Sequence, residues 1–103
     1  FNATPLTLAA FGGYKETVRL LLGKGADPYA RGNENRTAVE FAVQSGSWET
    51  VEVFLEFGVP LQGNMWKYGS PLIVAIGTKQ PSLVPKFIEK GAKVDRGCKE
   101  IRV

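Results

Sequence analysis

Residues 4–10 read Thr-Pro-Leu-Thr-Leu-Ala-Ala, and similar stretches begin at residues 37 and 70. Residues 37–43 read Thr-Ala-Val-Glu-Phe-Ala-Val and residues 70–76 read Ser-Pro-Leu-Ile-Val-Ala-Ile, so both intervals are 33 residues. Further landmarks recur at the same interval: Val18, Val51 and Val84, and then Gly25, Gly58 and Gly91. A period of this length, present three times without a gap, is typical of a solenoid built from short stacked units.

Within one period the apolar residues have the spacing of two short helices. Leu6, Ala9 and Ala10 lie at i, i+3 and i+4, and a second trio beginning at Val18 repeats that spacing. Gly13 lies between the trios, where a left-handed residue can end a helix and reverse the chain. The polar stretch before each new unit predicts an extended loop or hairpin, which we call a finger. The pattern predicts helices over about 5–12, 15–23, 38–45, 48–57, 71–78 and 82–90.

The length and the repeat together predict the domain organisation. The 103 residues suit one domain, with units at approximately 4–36, 37–69 and 70–102. Each unit alone buries too little apolar surface, so stability must come from stacking. The first and last residues both fall inside a unit, and we expect residues 1–103 to be a fragment of a longer array with flanking repeats.

Composition argues against several classes of function. Thirteen Lys and Arg against ten Asp and Glu give a dispersed net charge of +3, which does not indicate nucleic-acid binding. No apolar stretch approaches the roughly 18 residues of a membrane span, so we expect no membrane insertion. The lone Cys98 favours a reducing intracellular compartment, which we take to be the cytoplasm. The chain lacks histidine, and no residue set suggests catalysis, a metal or a cofactor.

The repeated residues resemble the ankyrin repeat, most closely in the first unit. Thr4-Pro5-Leu6, Leu8-Ala9-Ala10, Gly13, Leu20-Leu21-Leu22 and Gly25-Ala26-Asp27 all stand where that family has them. The resemblance implies an all-α solenoid of stacked helix-turn-helix units with hairpin or loop fingers. It also implies a non-catalytic module that binds a protein through a concave face of finger tips and first helices.

The chain departs from the family's pattern in two ways. The family's first histidine is replaced by Thr7, Glu40 and Ile73 and its second by Tyr14, Ser47 and Gln80, so hydrogen bonds between units must be absent or remade. In the third unit Lys79 takes the place of a glycine, and Pro85 falls inside the second helix, where it is either tolerated near the start or kinks the helix.

The resemblance places a set of variable residues on the concave face. These are the predicted partner-binding residues: Arg31, Asn33, Glu34 and Arg36 on the finger, and Phe11, Gln44, Ser45 and Thr78 on the first helices. Four more lie at the tip of the next finger: Met65, Trp66, Lys67 and Tyr68.

Trp66 is the most informative member of that tip, because large apolar side chains are enriched at the centres of interfaces. We expect Trp66 to anchor a partner, with Arg36 supplying charge steering. The alternative is local packing, in which Trp66 or Met65 folds back over the neighbouring hairpin or fills a gap left by the irregular third unit. For Trp48, just before the second helix of unit two, packing on an adjacent helix is the better interpretation.

The sequence therefore predicts a protein-protein interaction module whose partner is another protein or another domain of the parent chain. The alternative function is that of a structural spacer or regulatory repeats. In that case the units would position a catalytic, channel or nucleotide-binding domain elsewhere in the parent chain.

Overall fold

The structure is a computed structural model that describes residues 3–63, 66, 70–92 and 94. Its described residues form six α-helices in three pairs, and the paired-helix prediction is confirmed. The inner helices, first in each unit, are α1 (Pro5–Phe11), α3 (Ala38–Ser45) and α5 (Pro71–Gly77). The outer helices are α2 (Lys15–Gly23), α4 (Trp48–Glu56) and α6 (Val84–Glu89). Short 3-10 turns lie at Asn33–Asn35 and Pro81–Leu83. The described residues contain no β-strand beyond a single bridge between Arg31 and Thr37.

Each inner helix begins at a hydroxyl residue that caps its first turn. The Thr7 backbone N–H donates to Thr4 Oγ1 at 3.1 Å, and the Leu72 backbone N–H donates to Ser70 Oγ at 3.2 Å. In the middle unit the cap is reinforced by a carboxylate, because Glu40 Oε1 accepts from the Thr37 backbone N–H at 3.0 Å. These caps satisfy donors that a helix cannot satisfy internally, and so fix where each unit starts.

The core lies between the units, where small residues let the inner helices approach one another. Ala9, Ala42 and Ala75 occupy the same position in successive units, and all three are buried. Helix α1 packs on α3, α3 packs on α5, and α2 packs on α4, so each unit covers one face of the next. Most of the stability of such a stack comes from these interfaces between neighbouring units.

The third unit is irregular at the two predicted positions. Lys79 has φ +64°, the left-handed conformation that Gly13 and Gly46 adopt at +72° and +81° in the other units. Its outer helix opens as a 3-10 turn, so the α-helix begins at Val84 and not at the predicted residue 82. Pro85 then lies in the first turn, where a missing backbone N–H breaks no helical hydrogen bond, and it is tolerated.

Candidate functional site

The finger between the first two units is a tight hairpin that includes four of the predicted contact residues. Its backbone closes where the Gly32 N–H donates to the Arg36 carbonyl at 2.7 Å. The turn passes through Glu34 and Asn35, both at φ near +60°. Arg31 Nη1 donates to the Asn35 carbonyl at 2.8 Å, and this hydrogen bond stabilises the tip of the finger. The predicted finger is therefore present, with Asn33 at the start of its turn.

Arg36 connects this finger to the inner helix α3. Its Nη1 donates to Gln44 Oε1 at 2.6 Å, while its Nε lies 3.6 Å from Glu34 Oε1. The Arg36 side chain is 20% exposed, so the guanidinium is held in place yet still reaches solvent. The structure thus brings together three of the predicted residues, Glu34, Arg36 and Gln44, in a polar cluster at the edge of the inner helices.

An aromatic pair lies on the inner helices themselves. The Phe11 ring on α1 meets the Phe41 ring on α3 edge to face, with ring centroids 6.1 Å apart. Phe11 is nevertheless 54% exposed. Phe11 and Gln44 are 33 residues apart and occupy equivalent positions on neighbouring helices. We call the surface formed by Phe11, Phe41, Gln44, Arg36 and Thr78 the inner face.

The helices of the inner face present no charged side chain to solvent. Helices α1 and α5 contain no charged residue, and Glu40, the acidic residue of α3, is buried in its cap. The outer helices carry five glutamates: Glu16, Glu49, Glu52, Glu56 and Glu89. The inner face is thus apolar and neutral along its helices, with arginine and glutamate at the finger.

Gln80 remakes a hydrogen bond between units at a position where the family resemblance expected histidine. Its Nε2 donates to the Gln44 carbonyl at 3.1 Å, across 36 residues of sequence. The side chain lies against Gly46, where an added Cβ would come within 3.0 Å of Gln80 Oε1. In the sequence, Gln80 is distinguished only as a departure from the family pattern. No local feature of the sequence indicates this contact, because Gly46 is already explained by its left-handed φ of +81°.

Two other predicted contact residues have their hydroxyls engaged at the carboxyl ends of inner helices. Ser45 Oγ donates to the Ala42 carbonyl at 2.6 Å and accepts from the Ser47 backbone N–H at 3.2 Å. Thr78 Oγ1 donates to the Val74 carbonyl at 2.8 Å. Both hydroxyls therefore help to end inner helices, and a partner would meet them mainly as acceptors or as small neutral surface.

Trp66 does not extend from a finger tip, and the prediction of a displayed indole is wrong. The side chain is 1% exposed, and its Nε1–H donates to the Pro60 carbonyl at 2.7 Å. Its ring packs edge to face on Phe87, with centroids 5.7 Å apart. Trp48 packs on the same Phe87 ring at 5.2 Å, as expected for that residue. The indole fills the core of the irregular third unit, so the packing alternative describes it. Met65, Lys67 and Tyr68 lie outside the described residues.

The described part of the chain offers no set of three or more His, Cys, Asp or Glu side chains placed to hold a metal ion. None of its helices has both the length and the apolar character needed to cross a membrane.

A family model for ankyrin repeats matches residues 6–98 as three copies. The chain belongs to the ankyrin-repeat family. Ankyrin repeats are in general non-catalytic modules for protein interaction. The 33-residue period, the paired helices and the all-α solenoid are therefore those of an ankyrin array, and the family resemblance seen in the sequence is confirmed.

Ankyrin-containing relatives come from diverse organisms. Over 95 residues, or 92% of this chain, it is 32% identical to a transient receptor potential cation channel subfamily A member 1 homolog of Caenorhabditis elegans. Over 89% of the chain it is 30% identical to the human B-cell lymphoma 3 protein. A stretch of 54 residues is 43% identical to the probable E3 ubiquitin-protein ligase XBOS33 of Oryza sativa subsp. japonica. The matched regions cover only 8%, 21% and 10% of these three relatives, respectively.

Proposed function

We propose that these ankyrin repeats bind another protein, or another domain of the parent chain, through the inner face and the finger at residues 31–37. The observation that carries the proposal is Phe11, a large apolar side chain that is half exposed although Phe41 holds its ring in place. Aromatic side chains that are already fixed bury large areas on binding and lose little conformational entropy.

The surroundings of Phe11 support the same surface. Arg36 is held by Gln44 and Glu34, so its remaining donors are presented in a fixed direction. An apolar centre bordered by an oriented arginine has the composition of protein-binding hot spots. The outer helices differ in carrying five glutamates. The lone Cys98 further supports an intracellular, cytoplasmic setting.

A spacer or regulatory role is the second candidate function. It is favoured by the match to a relative named as a cation channel, of which the matched region covers only 8%. In that role the repeats would set the position of a catalytic, channel or nucleotide-binding domain elsewhere in the parent chain, and the inner face would bind no partner.

Photo-crosslinking tests the proposal at defined positions. A photoreactive phenylalanine analogue replaces Phe11 in one variant and the exposed Glu49 of α4 in a matched control, each in the full parent chain. We expect a specific crosslinked species from position 11 that is absent from position 49. Mass spectrometry of that species separates a second protein from a segment of the parent chain. Crosslinks that form at position 49 and not at position 11 would overturn the proposal.

A further inference from the structure

The guanidinium of Arg36 makes two contacts with the described residues, and they leave one of its edges without hydrogen bonds. Nη1 donates to Gln44 Oε1 at 2.6 Å, and Nε lies 3.6 Å from Glu34 Oε1. At 3.6 Å the second contact is an ion pair without a hydrogen bond. The edge formed by Nε and Nη2 is one that binds a carboxylate through two parallel hydrogen bonds. Within the described part of the chain, no acceptor forms that pair of bonds.

Glu34 places a carboxylate beside this edge from a strained backbone position. Its φ is +59° and its ψ is +24°, the left-handed conformation that residues other than glycine seldom adopt. Strain of this kind persists where the surrounding structure enforces it, and it is common at ligand-binding sites. The Glu34 side chain is 65% exposed and has no further ion pair or hydrogen bond to a described residue. The pair is therefore weak, and another carboxylate can replace Glu34 beside Arg36.

The hydrogen bond to Gln44 fixes the guanidinium over helix α3, next to the apolar part of the inner face. Gln44 is the equivalent of Phe11 on the neighbouring helix. Packed helices have axes about 8–10 Å apart, which about three residues of extended chain can span. The inner helices present no charged side chain to solvent, so Glu34 alone opposes a negative group that approaches Arg36 along them.

We infer that the inner face binds a partner segment that carries an acidic side chain and a large apolar side chain. The partner's carboxylate accepts two hydrogen bonds from Nε and Nη2 of Arg36 and displaces Glu34, while the apolar side chain packs on Phe11. In the unbound chain Glu34 occupies the carboxylate site weakly. This inference rests on the proposed function and adds the chemistry of the partner.

Random linear peptides displayed on phage provide a probe that requires no known partner. The library is selected on this chain, and enriched peptides are synthesised and titrated by calorimetry against the chain and its variants Arg36→Gln, Glu34→Gln and Arg19→Gln. Arg19 is the matched control because it also pairs with a glutamate, Glu56 at 3.1 Å, but on the outer side. Arg36→Gln and Arg19→Gln change the net charge equally, so a general attraction of acidic peptides affects both alike.

We expect the enriched peptides to share an acidic residue about three positions from a large apolar residue. Arg36→Gln should weaken their binding about tenfold or more, because hydrogen bonds to a charged group are lost, and Arg19→Gln should change it less than about twofold. Glu34→Gln should strengthen binding about two- to fivefold, because the exposed ion pair no longer competes. A purely structural role of Glu34 in the finger would not produce a gain. Replacing the peptide's acidic residue by its amide should remove both effects.

Enriched peptides without a shared acidic residue would overturn the inference. Acidic peptides that bind Arg36→Gln and Arg19→Gln equally well, or that bind Glu34→Gln more weakly than the unchanged chain, would also overturn it. The proposed function is tested separately with Phe11→Ala. Peptides that need Phe11 but neither Arg36 nor an acidic residue contradict this inference alone, whereas peptides that bind Phe11→Ala undiminished contradict the proposed function as well.

Discussion

Lys79 holds a backbone conformation that the other two units assign to glycine. A residue with a Cβ is destabilised by roughly 1–2 kcal/mol in the left-handed region, since Cβ crowds the following carbonyl oxygen. The chain needs this conformation because the helix must end there and reverse toward the outer helix. Lys79 is therefore a site of backbone strain with an identifiable cause.

Lys79→Gly should raise the free energy of unfolding by about 0.5–1 kcal/mol, which is the relieved strain less the added freedom of glycine in the unfolded chain. Urea unfolding followed by circular dichroism measures this change. Lys79→Ala is the matched control, because alanine removes the charge and the long side chain but keeps the Cβ. A similar gain from both substitutions would attribute the effect to the lysine side chain and not to the backbone.

Trp66 is a core residue, and its substitution should lower the free energy of unfolding. Trp66→Ala removes a buried indole from Phe87 and leaves the Pro60 carbonyl without its donor, so we expect a loss of about 3–5 kcal/mol. Trp66→Phe keeps an aromatic ring and should lose distinctly less. Thermal unfolding measures both variants. An alanine variant with an unchanged unfolding midpoint would contradict the packing role.

At the scale of elements, the outer helix of unit 3 is the shortest and least regular of the three. It is six residues long after its 3-10 turn and contains Pro85, whereas α2 and α4 each have nine residues. Short helices depend on neighbouring packing, and local opening is easiest where regular hydrogen bonding is interrupted.

We therefore expect the amides of residues 79–90 to exchange with deuterium faster than those of residues 13–24. Hydrogen exchange read by mass spectrometry or NMR measures this difference, with the regular α4 as an internal reference. Slower exchange in the third unit would show that the packing of Phe87 outweighs the shortened helix.

The elements themselves could be predicted from sequence because their signals are local and occur three times. Thr4, Gly13 and their equivalents mark where the helices start and stop, and the observed helix ends lie within one or two residues of the expected positions. The finger at residues 31–37 was also predictable from its polar turn residues. Local signals of this kind do not depend on which other segments are nearby.

The placement of Trp66 and the role of Gln80 were not predictable in the same way. Each depends on a contact between units that no local pattern encodes. The Trp66 indole enters the core because Phe87, 21 residues later, offers an apolar surface. Gln80 reaches a carbonyl 36 residues earlier. Sequence reasoning placed these residues in their units, but only the stacked structure shows what they touch.

At the scale of the whole molecule, the inner and outer sides of the stack differ in character. The outer helices are joined across units by ion pairs, Arg19 with Glu56 at 3.1 Å and Lys90 with Glu52 at 3.4 Å. All four side chains are 41–52% exposed, so solvent screens these pairs and they contribute little to stability. The inner helices present apolar and neutral surface. This asymmetry suits a module whose inner side meets a partner while its outer side faces water.

The most direct test of the inner face as the binding surface is the affinity of the crosslinked partner for two matched variants. Phe11→Ala should weaken binding about thirtyfold, since truncating an interface hot spot costs about 2 kcal/mol. Glu49→Ala on the outer side should change affinity less than about twofold. Circular dichroism should show both variants folded, with only a small loss of stability for Phe11→Ala, whose ring packs on Phe41. Titration calorimetry that finds Phe11→Ala unchanged and Glu49→Ala weakened would contradict the inner face as the binding surface.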